Sequence, residues 1–260
     1  KQCGGVEIQR SFNLEPKYKS TIGETIFYTT RNSLTKEGVV FFGASAMHLY
    51  LRELEKFKRK KFKNVPDFDV LSIDPKGTAE VVKKGLMDKG IKNVNIVKRS
   101  GIGDIISTHY EITVGEDTIA MIYKTLACHS YNYINIKGWK IKIASIPTML
   151  NLYLAFMYIE RPYYDSNRIL CMSEFLFKVQ QNNRINRKGI LRRFTENCYG
   201  EQETINDMRE TKSSQYEKYK GDRTSKNWEA NFLRYIPVEM EGSKKIKTIK
   251  RKSTKKKKKK

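Results

Sequence analysis

The stretch VVFFGASAMHLYLRELEKFKRKKFKNVPDFDVLSID, Val39 to Asp74, decides how the rest of the chain is read. Val39 to Phe42 is a run of β-branched and aromatic residues, the pattern of a buried strand. Gly43-Ala44-Ser45 makes a turn, and Ser45 is placed to cap the helix that follows. In that helix Ala46, Leu49, Tyr50, Leu54 and Phe57 recur at helical spacing, with Arg52, Glu53, Lys56 and Lys58 facing away. Pro66 forces an extended chain before it, and Asp67-Phe68-Asp69-Val70-Leu71 alternates as a strand does. Side chains two apart on a strand leave from one face. Asp67 and Asp69 therefore point together, while Phe68 and Val70 enter the core.

Two carboxylates held side by side repel each other unless a cation sits between them. Mg²⁺ is bound by one or two carboxylates together with substrate phosphates. A glycine turn at a helix N-terminus offers backbone N–H groups to a phosphate, and Ser45 adds a hydroxyl. Asp67 and Asp69 are thus the candidate metal ligands, and Gly43 and Ser45 the candidate nucleotide contacts. D-x-D alone is common on exposed edges, and weight comes from the order strand, glycine turn, helix, D-x-D strand. From Phe42 to Val70 that order resembles the polymerase-β-like nucleotidyltransferases. Two-metal transfer usually takes a third carboxylate, supplied by a neighbouring strand. Glu111 in HYEITVG is the candidate, Asp117 lies in a turn, and Ile119 to Lys124 carries no acid. Trp139 to Ile146 offers Ser145 but no carboxylate.

The 260 residues suffice for one large domain or two small ones. Fifty-one basic residues against 28 acidic give a net charge of +23. Twelve of the basic residues follow Ser243 in an acid-free lysine-rich tail, expected to be disordered, and without them the chain still carries about +11. A basic body with 11% aromatic residues points to RNA or DNA more than to a membrane surface. No run approaches the ~20 apolar residues of a membrane helix. The chain starts at Lys1 without a signal-peptide profile, as a processed chain or a fragment would. Cys3, Cys128, Cys171 and Cys198 are widely spaced with no C-x-x-C pair, which predicts reduced, intracellular thiols.

Residues 1–36 read as a mixed segment that completes something upstream. A helix is expected over Thr78 to Asp88, a strand over Asn93 to Lys98, and a hairpin around Gly115-Glu116-Asp117. Trp139 to Ile146 reads as a further strand. Helices are expected from Pro147, over Arg168 to Gln181, and in the charged stretches Glu203 to Lys220 and Asn227 to Tyr235. The expected class is α+β, a mixed sheet carrying helices over residues 37–146, a helical region over 147–240 and the tail over 241–260. NNRINRKGILRRFTENCYG, Asn182 to Gly200, gathers cations and aromatics. There Arg184, Arg187, Lys188, Arg192 and Arg193 suit phosphates and Phe194 or Tyr199 a stacked base, the alternative being a solvated basic loop.

Three stretches, ACHSYNYI (Ala127 to Ile134), KIASIPTMLNLYLAFMY (Lys142 to Tyr158) and RILCMSEFLFKVQQNNRINRKGILRRFTENCYGEQET (Arg168 to Thr204), carry a second resemblance. They are similar to the poly(A) polymerases of large cytoplasmic DNA viruses, mimivirus-like and more distantly poxvirus-like. The resemblance implies template-independent addition of AMP from ATP to an RNA 3′ end with Mg²⁺ or Mn²⁺. It implies a homodimer or a partner subunit, and a location in the host cytoplasm (viral factory) or the virion. It carries metal roles onto Asp67 and Asp69 and triphosphate contacts onto Gly43 and Ser45. Family members look like two tandem nucleotidyltransferase-type halves, one of them degenerate. This chain resembles the later half, and without a clear third carboxylate it is itself a candidate for the degenerate copy. The alternatives are then a non-catalytic half serving RNA binding or dimerisation, or a simple nucleic-acid-binding domain.

Overall fold

The computed structural model describes residues 22–51, 67–103, 105–136, 138–159, 164–183 and 189–232. The decisive stretch folds in the expected order: strand β1 (Val40–Phe42), helix α2 (Gly43–Leu51) and strand β2 (Phe68–Ser72). The expected continuation of the helix to Phe57 and the lysine-rich tail lie outside the described residues. Before β1 comes helix α1 (Ile22–Lys36), where the sequence reads as mixed. The helical signal there is the spacing of Ile26, Thr30 and Leu34, all buried, and it is diluted by β-branched threonines of low helix propensity.

After β2, Asp74 caps helix α3 (Pro75–Asp88) by accepting the Gly77 N–H, and Pro75 stands where a helix tolerates proline. Strands β3 (Val94–Arg99), β4 (His109–Val114) and β5 (Asp117–Lys124) follow, the last two as the expected hairpin. Strand β6 (His129–Ile136) is not legible in HSYNYINI, whose asparagines and adjacent buried Tyr131 and Asn132 break the alternation. It forms because it pairs in register with β7 (Trp139–Ala144), from Tyr131 opposite Ala144 to Ile136 opposite Trp139.

Helix α4 (Ile146–Tyr158) is capped by Ser145, and helix α5 (Ser166–Asn182) by Asp165. A 3₁₀ turn (Gly189–Leu191), a short strand β8 (Cys198–Tyr199) and two exposed helices, α6 (Ile205–Tyr219) and α7 (Lys226–Asn231), complete the described chain. The eight strands form one mixed sheet in the order β3-β4-β5-β2-β1-β7-β6-β8. Only β1 with β7 and β2 with β5 run parallel.

The pleat sorts the strands' side chains onto two faces. Phe41 and Phe68 meet Phe27 of α1 on one face, the Phe27 and Phe68 rings lying 5.1 Å apart. Phe42 and Tyr123 meet Phe156 of α4 on the other. A single core runs from Ile26 to Leu191, so α4 and α5 share it with the sheet and β8 extends the sheet. Among the described residues no helix is long and apolar enough to cross a membrane.

Candidate functional site

Asp67, Asp69, Gly43 and Ala44 line one small pocket, so the glycine turn and the acid pair do meet. The contact is close. Gly43 has φ +69°, and a Cβ there would lie 1.9 Å from Asp69 Oδ2. Ser45 behaves differently from the expected cap. It sits inside the first turn of α2, and its hydroxyl donates to the Phe42 carbonyl at 3.3 Å. Gly43 and Ala44 line the pocket and Ser45 does not.

The register fixes what stands beside the acids. In β5, Met121 pairs with Asp69, which puts both side chains on the same face. The neighbouring strand thus presents a thioether where a third carboxylate would complete a metal site. One strand further out, Glu111 pairs with Met121 and shares that face. Two strand spacings separate Glu111 from Asp69, about 10 Å. The Glu111 carboxylate is also committed. Arg99 donates to Oε2 through Nε at 3.0 Å and Nη2 at 2.6 Å, and the Thr118 hydroxyl donates to Oε1 at 2.6 Å. Among the described residues no group of three or more His, Cys, Asp or Glu could hold a metal ion. Among the described residues, the side chains beside Asp67 and Asp69 therefore do not complete a two-metal centre.

The rest of the pocket is filled. Phe156 and Tyr164 stack with centroids 4.6 Å apart, and the Tyr123 and Tyr164 hydroxyls lie 3.1 Å apart. These rings, with Met121, Met172 and Arg168, leave about 40 Å³ beside the acids. Ligand pockets run to roughly 300–1,000 Å³, while one water takes about 30 Å³ of liquid. Water fits here and a nucleotide does not. Burial, then the nearby Asp69 charge, pushes the pKa of Tyr153 up in this pocket, with Arg168 opposing.

Glu111 consequently has a structural role. Glu111→Ala is expected to cost about 2–3 kcal/mol in urea denaturation, the scale of losing hydrogen bonds to a charged group. That is less than a fully buried broken pair would cost, because the Arg99 side chain is 45% exposed and can rehydrate.

The sequence's second candidate surface is built separately. Arg184, Arg187 and Lys188 lie outside the described residues. Arg192 and Arg193 are exposed and immediately precede Phe194, which is 82% exposed. Buried Asn132 of β6 holds this arm by donating its amide to the carbonyls of Ile190 at 3.3 Å and Arg192 at 2.9 Å. Beyond the arm, β8 pairs with β6 and brings Cys128 and Cys198 together, their Cα atoms 5.4 Å apart, within the reach of a disulfide. The cysteines, widely spaced in sequence, are therefore not all isolated in space, and Cys171 is not free either. Spacing along the chain hides this pair, since 70 residues separate two cysteines that strand pairing brings together. Tyr199, the other candidate stacking ring, is engaged: Ile73 N–H donates to its hydroxyl at 3.4 Å, and Lys142 Nζ lies 4.9 Å from its ring centroid.

No family model and no curated protein matches the sequence. Among solved structures, the Megavirus polyadenylate synthase superposes with a TM-score of 0.61 over 85% of this chain, at 13% identity. The fold is nucleotidyltransferase-like. The chain spans 45% of the Megavirus protein's length. An antigenic nucleotidyltransferase-like protein from Paracoccidioides brasiliensis is also matched, at 12% identity over 61% of this chain and 75% of its own. Its TM-score of 0.36 is too low to argue from. In this nucleotidyltransferase-like fold the glycine turn and the acid pair line one pocket, with about 40 Å³ left beside them.

Proposed function

We propose that this chain is a catalytically silent nucleotidyltransferase-like module of a longer protein of the polyadenylate synthase type, and that it holds RNA on a basic surface. The observation that supports this reading is Met121 in register beside Asp69, in a pocket left with about 40 Å³. ATP, Mg²⁺ or Mn²⁺ and the reacting RNA 3′ end would then belong to another part of the whole protein. RNA as the partner rests on the net charge of +23 and on exposed Arg192, Arg193 and Phe194.

A second reading, that the module itself transfers AMP, draws support from Gly43, Asp67 and Asp69 sharing one pocket. One assay separates the two. The chain is incubated with ATP, Mg²⁺ or Mn²⁺ and a labelled RNA primer, beside its Asp69→Asn variant. No extension is expected from either, with equal RNA affinity. Extension by the parent chain that Asp69→Asn abolishes would establish the catalytic reading instead.

A further inference from the structure

Two open clefts flank the arm that carries Phe194. One, of about 830 Å³, is lined by Gln180, Asn183, Arg192 and Glu196 among others, and the second, of about 600 Å³, by Lys124, His129, Asn151 and Leu152. Pro147, Arg193, Phe194 and Thr195 line both, so the arm is a ridge between them. Each volume lies in the range of ligand sites, whereas the acid pocket does not. Tyr123 and Phe156 line both the smaller cleft and the acid pocket, and so form the wall between them.

The chemistry along the ridge suits one class of ligand. Phe194 offers a bare ring, and the Arg193 guanidinium carbon lies 5.6 Å from its centroid. Among the described residues lining the two clefts, the charged ones are Arg192, Arg193, Lys124 and Glu196. Burial lowers the pKa of His129, so this imidazole is neutral near pH 7 and adds no charge. The start of α4 at the cleft floor is a poor anion site. Pro147 has no N–H, Ser145 Oγ accepts the Thr148 N–H at 3.4 Å, and the Ser145 carbonyl accepts the Met149 N–H. Phosphate charge therefore falls to the arginines.

We infer that the Arg192–Thr195 arm is a clamp for single-stranded RNA, with one unpaired base stacked on Phe194 and the strand passing from one cleft to the other. This rests on the RNA-holding reading above and assigns it a place. A duplex does not satisfy it, because its bases are stacked within the helix and present no free face to the ring. Base stacking on an aromatic is tolerant of sequence, so strong base preference is not expected.

The test uses the full chain and a fluorescein-labelled 15-nucleotide single-stranded RNA, with a duplex RNA of equal length as comparison. Phe194→Ala is expected to weaken single-strand binding about 5- to 150-fold, the contribution of one stacked base, and to leave duplex binding unchanged. Phe194→Trp should retain affinity. Phe194→Ala should leave the salt slope alone, while the Arg192→Ala, Arg193→Ala double variant should make it shallower by about 1.4, or ~0.7 per lost phosphate contact. Photo-crosslinking with 4-thiouridine supplies a readout that the lysine tail cannot mask, with adducts expected on the peptide that holds Phe194. Adducts confined to the tail, equal loss for single strand and duplex, or unchanged single-strand affinity in Phe194→Ala would each overturn the clamp. The extension assay on Asp69→Asn does not involve Phe194, so the silence of the acid pocket stands or falls separately.

Discussion

Met121→Asp is expected to lower the unfolding free energy by about 3–5 kcal/mol at pH 7, the scale of a buried charge without a partner. The position is buried, and its neighbour in register is Asp69, so the new carboxyl loses hydration and meets a like charge. Both effects raise its folded pKa above the unfolded value of about 3.9. The sign follows from linkage. Well below pH 4 the group is neutral in both states, and only the pH-independent cost of replacing a buried thioether with a carboxylic acid remains. As pH rises the unfolded chain releases the proton first, and stability falls until the folded group also ionises. Urea denaturation from pH 4 to pH 8 should show the difference between variant and parent widening with pH. Millimolar Mg²⁺ supplies a second arm. With Tyr123, Phe156 and Tyr164 filling the space, little recovery is expected, whereas restoration of most of the loss by Mg²⁺ would show that one substitution rebuilds a metal site and would count against a closed pocket.

Gly43→Ala is expected to cost about 2–5 kcal/mol although it adds only a methyl group. A φ of +69° charges an alanine roughly 1–2 kcal/mol. The added Cβ would also lie 2.7 Å from Asp69 Cβ, which no rotation of the carboxylate relieves, so β2 must shift against β1. Overpacking of that kind costs about 1–3 kcal/mol. Because strain and clash involve a named pair, the effect should be non-additive. Gly43→Ala combined with Asp69→Gly should cost at least about 1 kcal/mol less than the two single changes together, measured as a double-mutant cycle by urea denaturation. Strict additivity would mean that the turn and the acid do not touch.

Much of this molecule is written locally. The alternation in Asp67 to Leu71, the apolar run at Val40 to Phe42, the proline-led starts of α3 and α4 and the hairpin around Gly115 are short-range patterns, and each forms close to where it is read. What fails locally fails for identifiable reasons. Strand β6 carries asparagines that break its alternation, and it is a strand because β7 pairs with it and because its Asn132 finds two carbonyls some sixty residues away. Cys128 and Cys198 are paired by the β6–β8 register, which no spacing rule contains.

The candidate site divides the same way. By itself the sequence determined that Asp67 and Asp69 share a face, that a glycine turn precedes them and that the strand Ile119 to Lys124 has no acid to offer, since each of these depends on backbone periodicity and composition. Only the tertiary structure decided that Met121 is the residue beside Asp69, that Glu111 is spent on Arg99 and Thr118, and that Tyr123, Phe156 and Tyr164 line the acid pocket and leave about 40 Å³ in it. The physical reason is that strand register and side-chain packing are set by partners distant in the chain, and a one-residue slip would exchange every side chain between the two faces.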